Sequence, residues 1–566
     1  MPVQYQGQKF MSEDDLKVNI LGFWPRLDIQ NPKLKKRFKR ETGRDFLGGD
    51  ELVSYAQSLV SRGMDFVALE EEILKDMQNP EKSLKEIVYK KTSTGIGRGH
   101  SLGGLSGVVL GVHGTKMIDS GLTGLVASRS LVTSSRRREI SSEEIVVPKA
   151  LISKPELLKE YLEVSKEVFS LAEQFKEKFK KFGGIETFNK LLPYNNPADL
   201  FIVLPLDTLA TLESEVMYDR EDTNGNFLPK EIHNLVSKFS DITKEVGLNT
   251  MYEQRIRVPR DTYLHYTVFR DPLLKNEALE EAEKRGMPLQ PMIIDSSVNF
   301  TSSALKELKE LRKFAEMNMQ IQEPKVLTDF AKRYMCSMRA FVGENNESVR
   351  VKVLDSLSWR VWSEQKRHAT LRQSVESVYS AAERSARDIG MLWPLIHELH
   401  NASSSLTSSA KKEILEPRFI EDIEKSIIID ERLKTQPELL IPYLYYTVKQ
   451  LNLFQKMLKA GIEPRDALYI VPKNIRLRTL ENYDLINLID LELPLRLCDT
   501  CEPERKAISW QKRNIIAEKI PELDYFLYPK CGVGFCTEGI YCRHITDRRN
   551  YDKEFHEAVK KEMLGG

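Results

Sequence analysis

Cysteine is scarce in this chain: six in 566 residues, five of them from Cys498 onward. That usage excludes a disulfide framework spread through the fold. No run approaches the ~18–20 uncharged apolar residues needed to cross a bilayer. The nearest candidate, residues 101–112, is too short and too rich in glycine. The opening Met1–Lys9 segment lacks the apolar core of a secretion signal. An excess of charge of either sign is also missing. Lys and Arg number 84 against 83 Asp and Glu, a formal net charge of +1, so no global attraction to nucleic acid or to an anionic membrane is expected. Nucleotide-loop signatures are incomplete. Gly97-Arg98-Gly99 is followed by His100-Ser101-Leu102 without the third glycine, and no Gly-Lys-Ser/Thr phosphate loop occurs. What is present, 41% apolar and 30% charged residues, suffices for two or more packed domains. The expectation is a soluble cytoplasmic protein with neither a membrane nor a nucleic acid as partner.

Along the chain, residues 58–76 and 81–89 have apolar side chains at helical spacing. The basic run Lys33–Arg40 reads as a solvated helix face rather than a phosphate patch. Ten of the 29 glycines fall between Gly95 and Gly124. That density predicts a loop or a closely packed helix, or turns that approach a ligand. Residues 151–182 predict a long amphipathic helix, as do residues 437–460. Asn224-Gly225 marks a turn, and Arg220 at the first ligand position rules out a calcium loop there. Proline and charge around 270–300 mark the boundary between two halves, 1–285 and 286–566. Pro197–Pro205 and Pro464–Pro472 share Pro, Asp and Pro at matching places around an apolar run, and each follows a long helical segment. Duplication accounts for both similarities. In the second half, helices are predicted over 303–317 and 324–341, with a longer helical stretch over 351–387.

The densest set of donors lies in Arg367-His368-Ala369-Thr370-Leu371-Arg372-Gln373-Ser374-Val375-Glu376-Ser377. Guanidinium, imidazole, amide and hydroxyl groups together suit an anion or phosphate. A solvated polar helix face has the same composition. The cysteines give a second signal. Cys498-x2-Cys501, then Cys531-x4-Cys536-x5-Cys542 and His544 supply more than the four soft ligands that tetrahedral zinc takes. Free buried thiols, a redox pair or an iron–sulfur cluster fit the same residues. His397-Glu398-Leu399-His400 lacks the i, i+4 histidine spacing of a metalloprotease, and Tyr443, Tyr446 and Phe454 read as helix packing.

Four segments of the second half resemble the flavin-dependent thymidylate synthases. Arg367-His368-Ala369, seven residues and Ser377 resemble that family's Arg-His-Arg-x7-Ser signature. Gly461–Pro472 is similar to its Gly-x-x-x-Glu-x-Ala-Arg-x-x-Leu-Pro segment. Leu493–Cys498 resembles its Leu-Arg-Leu-Cys segment, and Cys531–Gly539 a cysteine-bearing tail. Gly99-His100-Ser101 is a weaker echo in the first half. The resemblance implies an α+β, predominantly helical fold in two tandem synthase-like units, the first degenerate. It implies reductive methylation of dUMP to dTMP, with FAD, NADPH and methylene-tetrahydrofolate. Arg367, His368, His100 and Ser101 would contact FAD. Arg372, Gln373, Ser377 and Arg496 would form the dUMP site, with Arg496 and Ser377 at its reacting end. A two-unit chain would pair into a homodimer equivalent to the family's tetramer. Several family arginines are replaced, by Ala369, Leu468 and, in the first half, Phe201, while Tyr379 stands where a Ser-x-Arg pattern would continue. A non-catalytic nucleotide- or flavin-binding homologue and a zinc-containing RNA-binding protein are the alternative readings.

Overall fold

A computed structural model describes residues 3–24, 26–48, 69–76, 107–115, 129–132, 144–179, 189–221, 227–246, 277–366, 370–402 and 416–533, with a few isolated positions besides. His100, Ser101, Arg136–Arg138, Arg367, His368, Ala369, Cys536, Cys542 and His544 lie outside them. The architecture is α+β. Two compact units are each assembled from three segments. The first takes Met1–Leu273, Ser377–Thr407 and Glu438–Lys473, and the second Leu274–Glu376, Ser408–Pro437 and Asn474–Gly566.

The first unit is built on strands β1 (Lys17–Trp24), β2 (Gly107–Thr115), β3 (Arg129–Val132) and β4 (Pro197–Pro205). They form one antiparallel sheet in the order β1-β2-β4-β3. Along β4, Ala198, Leu200, Ile202 and Leu204 are buried on one face, as the two-residue period of a strand requires. The part of the glycine-rich stretch from Gly107 to Thr115 is thus a strand rather than a loop or a packed helix. Glycine is needed there for close approach: a Cβ on Gly107 would lie 2.4 Å from the Leu204 carbonyl oxygen, and one on Gly114 2.5 Å from Ile118. Helix α1 (Pro155–Phe179) realises the predicted amphipathic segment, and Tyr161 in it donates to the Val146 carbonyl at 2.8 Å. The helix Pro437–Lys459 belongs to the same unit. Its Lys449 pairs with Glu167, and its Lys456 with Glu160 at 2.6 Å, both on α1. A shorter helix, α2 (Lys230–Ser237), buries Glu231, Ile232, Leu235 and Val236.

The second unit repeats the strand order with β5 (Met292–Val298), β6 (Val349–Ser358), β7 (Arg372–Val375) and β8 (Arg476–Asp484), paired antiparallel as β5-β6-β8-β7. The helices Ser302–Asn318 and Pro324–Asn345 match their expected spans and pack through Ala304, Leu308, Leu311, Tyr334 and Phe341. The stretch 351–387, expected as one helix, is strand, the helix Trp359–Gln365, strand, and the helix Val378–Gly390. Its β-branched opening, Val349 through Val353, favours the pleated surface, and Ser358 and Ser377 restart the helices as caps. Two further helices close the unit, α3 (Glu492–Arg496) and α4 (Pro503–Lys519). Glu502 caps α4 by accepting from the Arg505 N–H at 2.9 Å, and Pro503 occupies the first helical position.

The nine-residue match between Pro197–Pro205 and Pro464–Pro472 has no structural counterpart. The first is strand β4, whereas the second is the helical turn Pro464–Ala467 followed by the 3-10 turn Leu468–Ile470. Pro464 there serves as a helix start after Glu463, and its apolar run is buried on all sides rather than alternately. No helix among the described residues is long and apolar enough to cross a membrane.

Candidate functional site

Alternation along β8 aims Leu477, Thr479, Glu481 and Tyr483 into the second unit's interior. On the neighbouring β6, the same face carries Val351, Val353 and Asp355, with Asp355 directly opposite Thr479 and Val353 opposite Glu481. Two carboxylates therefore enter the interior on adjacent strands. Helix α4 covers them with Arg505, Ser509 and Lys512, spaced four and three residues apart on one helix face. Lys512, fully buried, is ion-paired with both Asp355 and Glu481. Arg505, 1% exposed, places its Nη2 3.3 Å from Glu481 and 3.6 Å from Glu492, and its Nη1 3.8 Å from Asp355. Glu481 also accepts from Tyr483 Oη at 2.5 Å and from Gln365. Thr479 donates to Asp355.

Isolated carboxylates at this depth would be neutral. Burial pushes the Asp355 carboxyl up, and Glu481 adds to that push while Lys512 and Arg505 oppose it. Burial would also raise Glu481, but Arg505 and Lys512 outweigh it and hold that carboxylate below its ordinary range. Two neighbouring acids are thus driven apart, one toward the neutral and one toward the ionised form.

Arg496 joins this cluster from α3. Its Nε donates to Glu492 at 2.8 Å, one helical turn away, and the side chain is 11% exposed. Its Nη2 is buried with no oxygen or nitrogen acceptor, and the guanidinium has the Cys501 thiol beside it. Nε, Nη1 and Nη2 of Arg505 and Nε2 of Gln373 are buried without a hydrogen-bond acceptor. The carboxylates near Arg505 attract it as ions but do not meet its N–H groups in hydrogen-bonding geometry. A guanidinium donates five such bonds, and buried donors without acceptors are costly. The cluster therefore holds surplus donor capacity, suited to a planar acceptor or an anion.

Four of the cofactor- and substrate-binding candidates lie among the described residues. Gln373 lies opposite Glu481 on β7 and accepts from Gln365 at 3.1 Å, inside the cluster, and Arg496 lies there too. Arg372, one residue along the strand, is exposed, as the two-residue period dictates. Ser377 belongs to the first unit, where it is buried and caps the helix Val378–Gly390 by accepting from the Tyr379 N–H at 3.3 Å. Asp355, Glu481, Glu492, Arg505 and Lys512 were not singled out from sequence. The readable signal was Arg505, Ser509 and Lys512 falling on the same helix face as buried Ile516. Cys498, Cys501 and Cys531 are not in disulfides. No grouping of three or more His, Cys, Asp or Glu that could hold a metal ion occurs among the described residues.

The first unit has its own buried acids. Glu231, wholly buried, accepts from Thr115 Oγ1 at 2.6 Å, and burial raises its pKa to about 7. Asp466 is met by Lys230 at 2.5 Å, and His233 Nε2 lies 2.6 Å from Asp219.

No family model matches the chain. Among curated proteins, the flavin-dependent thymidylate synthase of Thermococcus onnurineus is 27% identical over 150 residues, covering 25% of this chain and 60% of that protein. The Thermococcus kodakarensis enzyme of the same name is 29% identical over the same shares. That of Pyrococcus abyssi is 26% identical over 123 residues, 21% of this chain and 50% of that protein. Over these stretches the chain is similar to the flavin-dependent thymidylate synthases. It spans 50–60% of the length of these synthases. Among solved structures, the Helicobacter pylori thymidylate synthase ThyX with FAD and dUMP aligns at 11% identity and a TM-score of 0.26, over 42% of this chain and 96% of that one.

Proposed function

We propose that the second unit binds dUMP beside Arg496 and that the chain catalyses its reductive methylation to dTMP, with methylene-tetrahydrofolate as carbon donor and NADPH as the source of reducing equivalents. The observation that carries this reading is the unused donor capacity of Arg496 and Arg505 in a buried, carboxylate-braced cluster. Arg496 is also the arginine of the synthase-like Leu-Arg-Leu-Cys segment. A guanidinium held by Glu492 and kept from water favours negative charge on a uracil carbonyl oxygen, and so electron density toward C5. Gln373 supplies an amide donor to the same space. FAD, when bound, supplies the hydride. Arg367 and His368 would hold it, and they lie outside the described residues.

The same reading gives each chain two homologous units and one site. Both sheets share a strand order, and both second strands end in a hydroxyl that meets a glutamate at the second position of a helix. In the first unit Thr115 meets Glu231 on α2, and in the second Ser358 meets Glu504 on α4, at 2.8 Å. With β2 and β4 aligned to β6 and β8 by these pairings, Asp355, Glu481, Arg505 and Lys512 correspond to Val112, Ile202, Ile232 and Phe239 of the first unit, all buried. The first unit therefore carries an apolar core where the second carries the charged cluster. Two such chains would supply the four units of a synthase tetramer.

The test is dTMP formation by the full chain with dUMP, FAD, NADPH and methylene-tetrahydrofolate. Turnover should appear, and Arg496→Ala should weaken dUMP binding by about 10- to 150-fold, the equivalent of a charge-assisted hydrogen bond of roughly 1.5–3 kcal/mol. Flavin and dUMP binding without dTMP formation would favour the non-catalytic homologue.

A further inference from the structure

The segment joining α3 to α4 contains two thiols placed for each other. Cys501 N–H donates to the Cys498 carbonyl at 3.0 Å, closing a four-residue turn whose end Cα atoms lie within about 7 Å. Disulfides span Cα separations of roughly 4.4–6.8 Å. Both side chains are half-buried and both thiols are free. Their surroundings differ. Cys498 Sγ lies 3.2 Å from the Thr500 hydroxyl, a donor to a thiolate. Burial pushes the Cys501 thiol up, opposed by the neighbouring Arg496 and Arg505. Metal coordination would need further ligands, and Cys531 does not join this pair in any grouping of three among the described residues.

We infer that Cys498 and Cys501 form a reversible dithiol–disulfide site that exchanges with low-molecular-weight disulfides. The Cys498 thiolate attacks one sulfur of the small disulfide, expelling one thiol and leaving a mixed disulfide on Cys498. Cys501 then gives its proton to solvent, attacks the Cys498 sulfur and expels the second thiol. Two electrons and two protons pass from the protein dithiol to the small disulfide, which leaves as two thiols. The new S–S bond clamps the turn between the helices that carry Arg496 and Arg505. The inference stands independently of the methylation chemistry.

The test uses the reduced full chain, incubated with oxidised glutathione, alkylated with iodoacetamide and digested with trypsin. Cleavage after Arg496 and Arg505 isolates both cysteines in peptide 497–505. The expected product is that peptide without alkyl groups and two hydrogens lighter, restored to the doubly alkylated form by dithiothreitol. Cys336, exposed on its own helix, should instead retain glutathione and serves as the internal comparison. Cys501→Ser should trap glutathione on Cys498. A wild-type peptide that keeps glutathione on either cysteine overturns the inference. So does one protected from alkylation until a chelator is added. Circular dichroism of the variants verifies that they are folded.

Discussion

Arg505→Met should destabilise the second unit by about 3–5 kcal/mol, the usual cost of leaving buried charges uncompensated. Arg505 stands within 3.8 Å of three carboxylates, Asp355, Glu481 and Glu492, and is almost inaccessible to water. Without it, Lys512 is left to face Asp355 and Glu481, and Glu492 loses one of its guanidinium partners. Glu481→Ile should cost about as much for the opposite reason, since Arg505 and Lys512 then share Asp355. Changing the four groups together is a different experiment. Asp355→Val, Glu481→Ile, Arg505→Ile and Lys512→Phe install the residues that the first unit uses at the corresponding positions. Replacing a complete buried charge set by packed apolar residues is often neutral or better, so the quadruple variant should recover most of the loss. Urea unfolding followed at Trp359 and Trp362, both buried in the second unit, measures this. A quadruple variant as unstable as the sum of its single changes would contradict the proposed correspondence. Recovered stability with lost dUMP binding would mean that the cluster is kept for function rather than for folding.

Glu231 should make the first unit less stable as pH rises from about 4.5 to 7. Its folded pKa of about 7 lies above the ordinary 4.5, so the folded state binds the extra proton in that window. The associated stability is fully present below pH 4.5 and is lost as pH climbs through 7. At 1.36 kcal/mol per unit, the difference is about 3 kcal/mol. Burial also raises Glu13 and Asp466, which act in the same direction. Glu231→Gln keeps an acceptor for Thr115 and removes the ionisation, so it should flatten the slope and stabilise the unit above pH 7. Hydrogen exchange of β2 and α2 between pH 5 and 8, corrected for the intrinsic rate, reads this locally. A slope unchanged in Glu231→Gln would mean that Glu231 is not the titrating group.

Much of the helical framework was legible because packing helices show their apolar period directly. Residues 151–182 and 437–460 are read correctly to within a few residues for that reason. The strands were less legible. β6 and β8 carry Asp355 and Glu481 on an inward face, which breaks the polar–apolar alternation that marks a strand, and the glycines of β2 imitate a loop. Pro197–Pro205 and Pro464–Pro472 match as letters but not as structure, one being a strand and the other two helical turns, because a short apolar run between prolines fits either. Part of the buried charged cluster was legible in the sequence. Arg496 and Gln373 follow from a motif and a donor-rich run. Arg505 and Lys512 share a helix face with Ile516, but a charged residue on an apolar face reads as buried only once the two carboxylates that meet it from the sheet are known.

The measurement that bears most directly on the central claim is calorimetric titration of the full chain with dUMP in the presence of FAD, for the wild type and Arg496→Ala. One dUMP should bind per chain, because among the described residues the guanidinium cluster lies in the second unit, and Arg496→Ala should lose most of that affinity. Two dUMP per chain, or unchanged binding by Arg496→Ala, would contradict a single site built around Arg496.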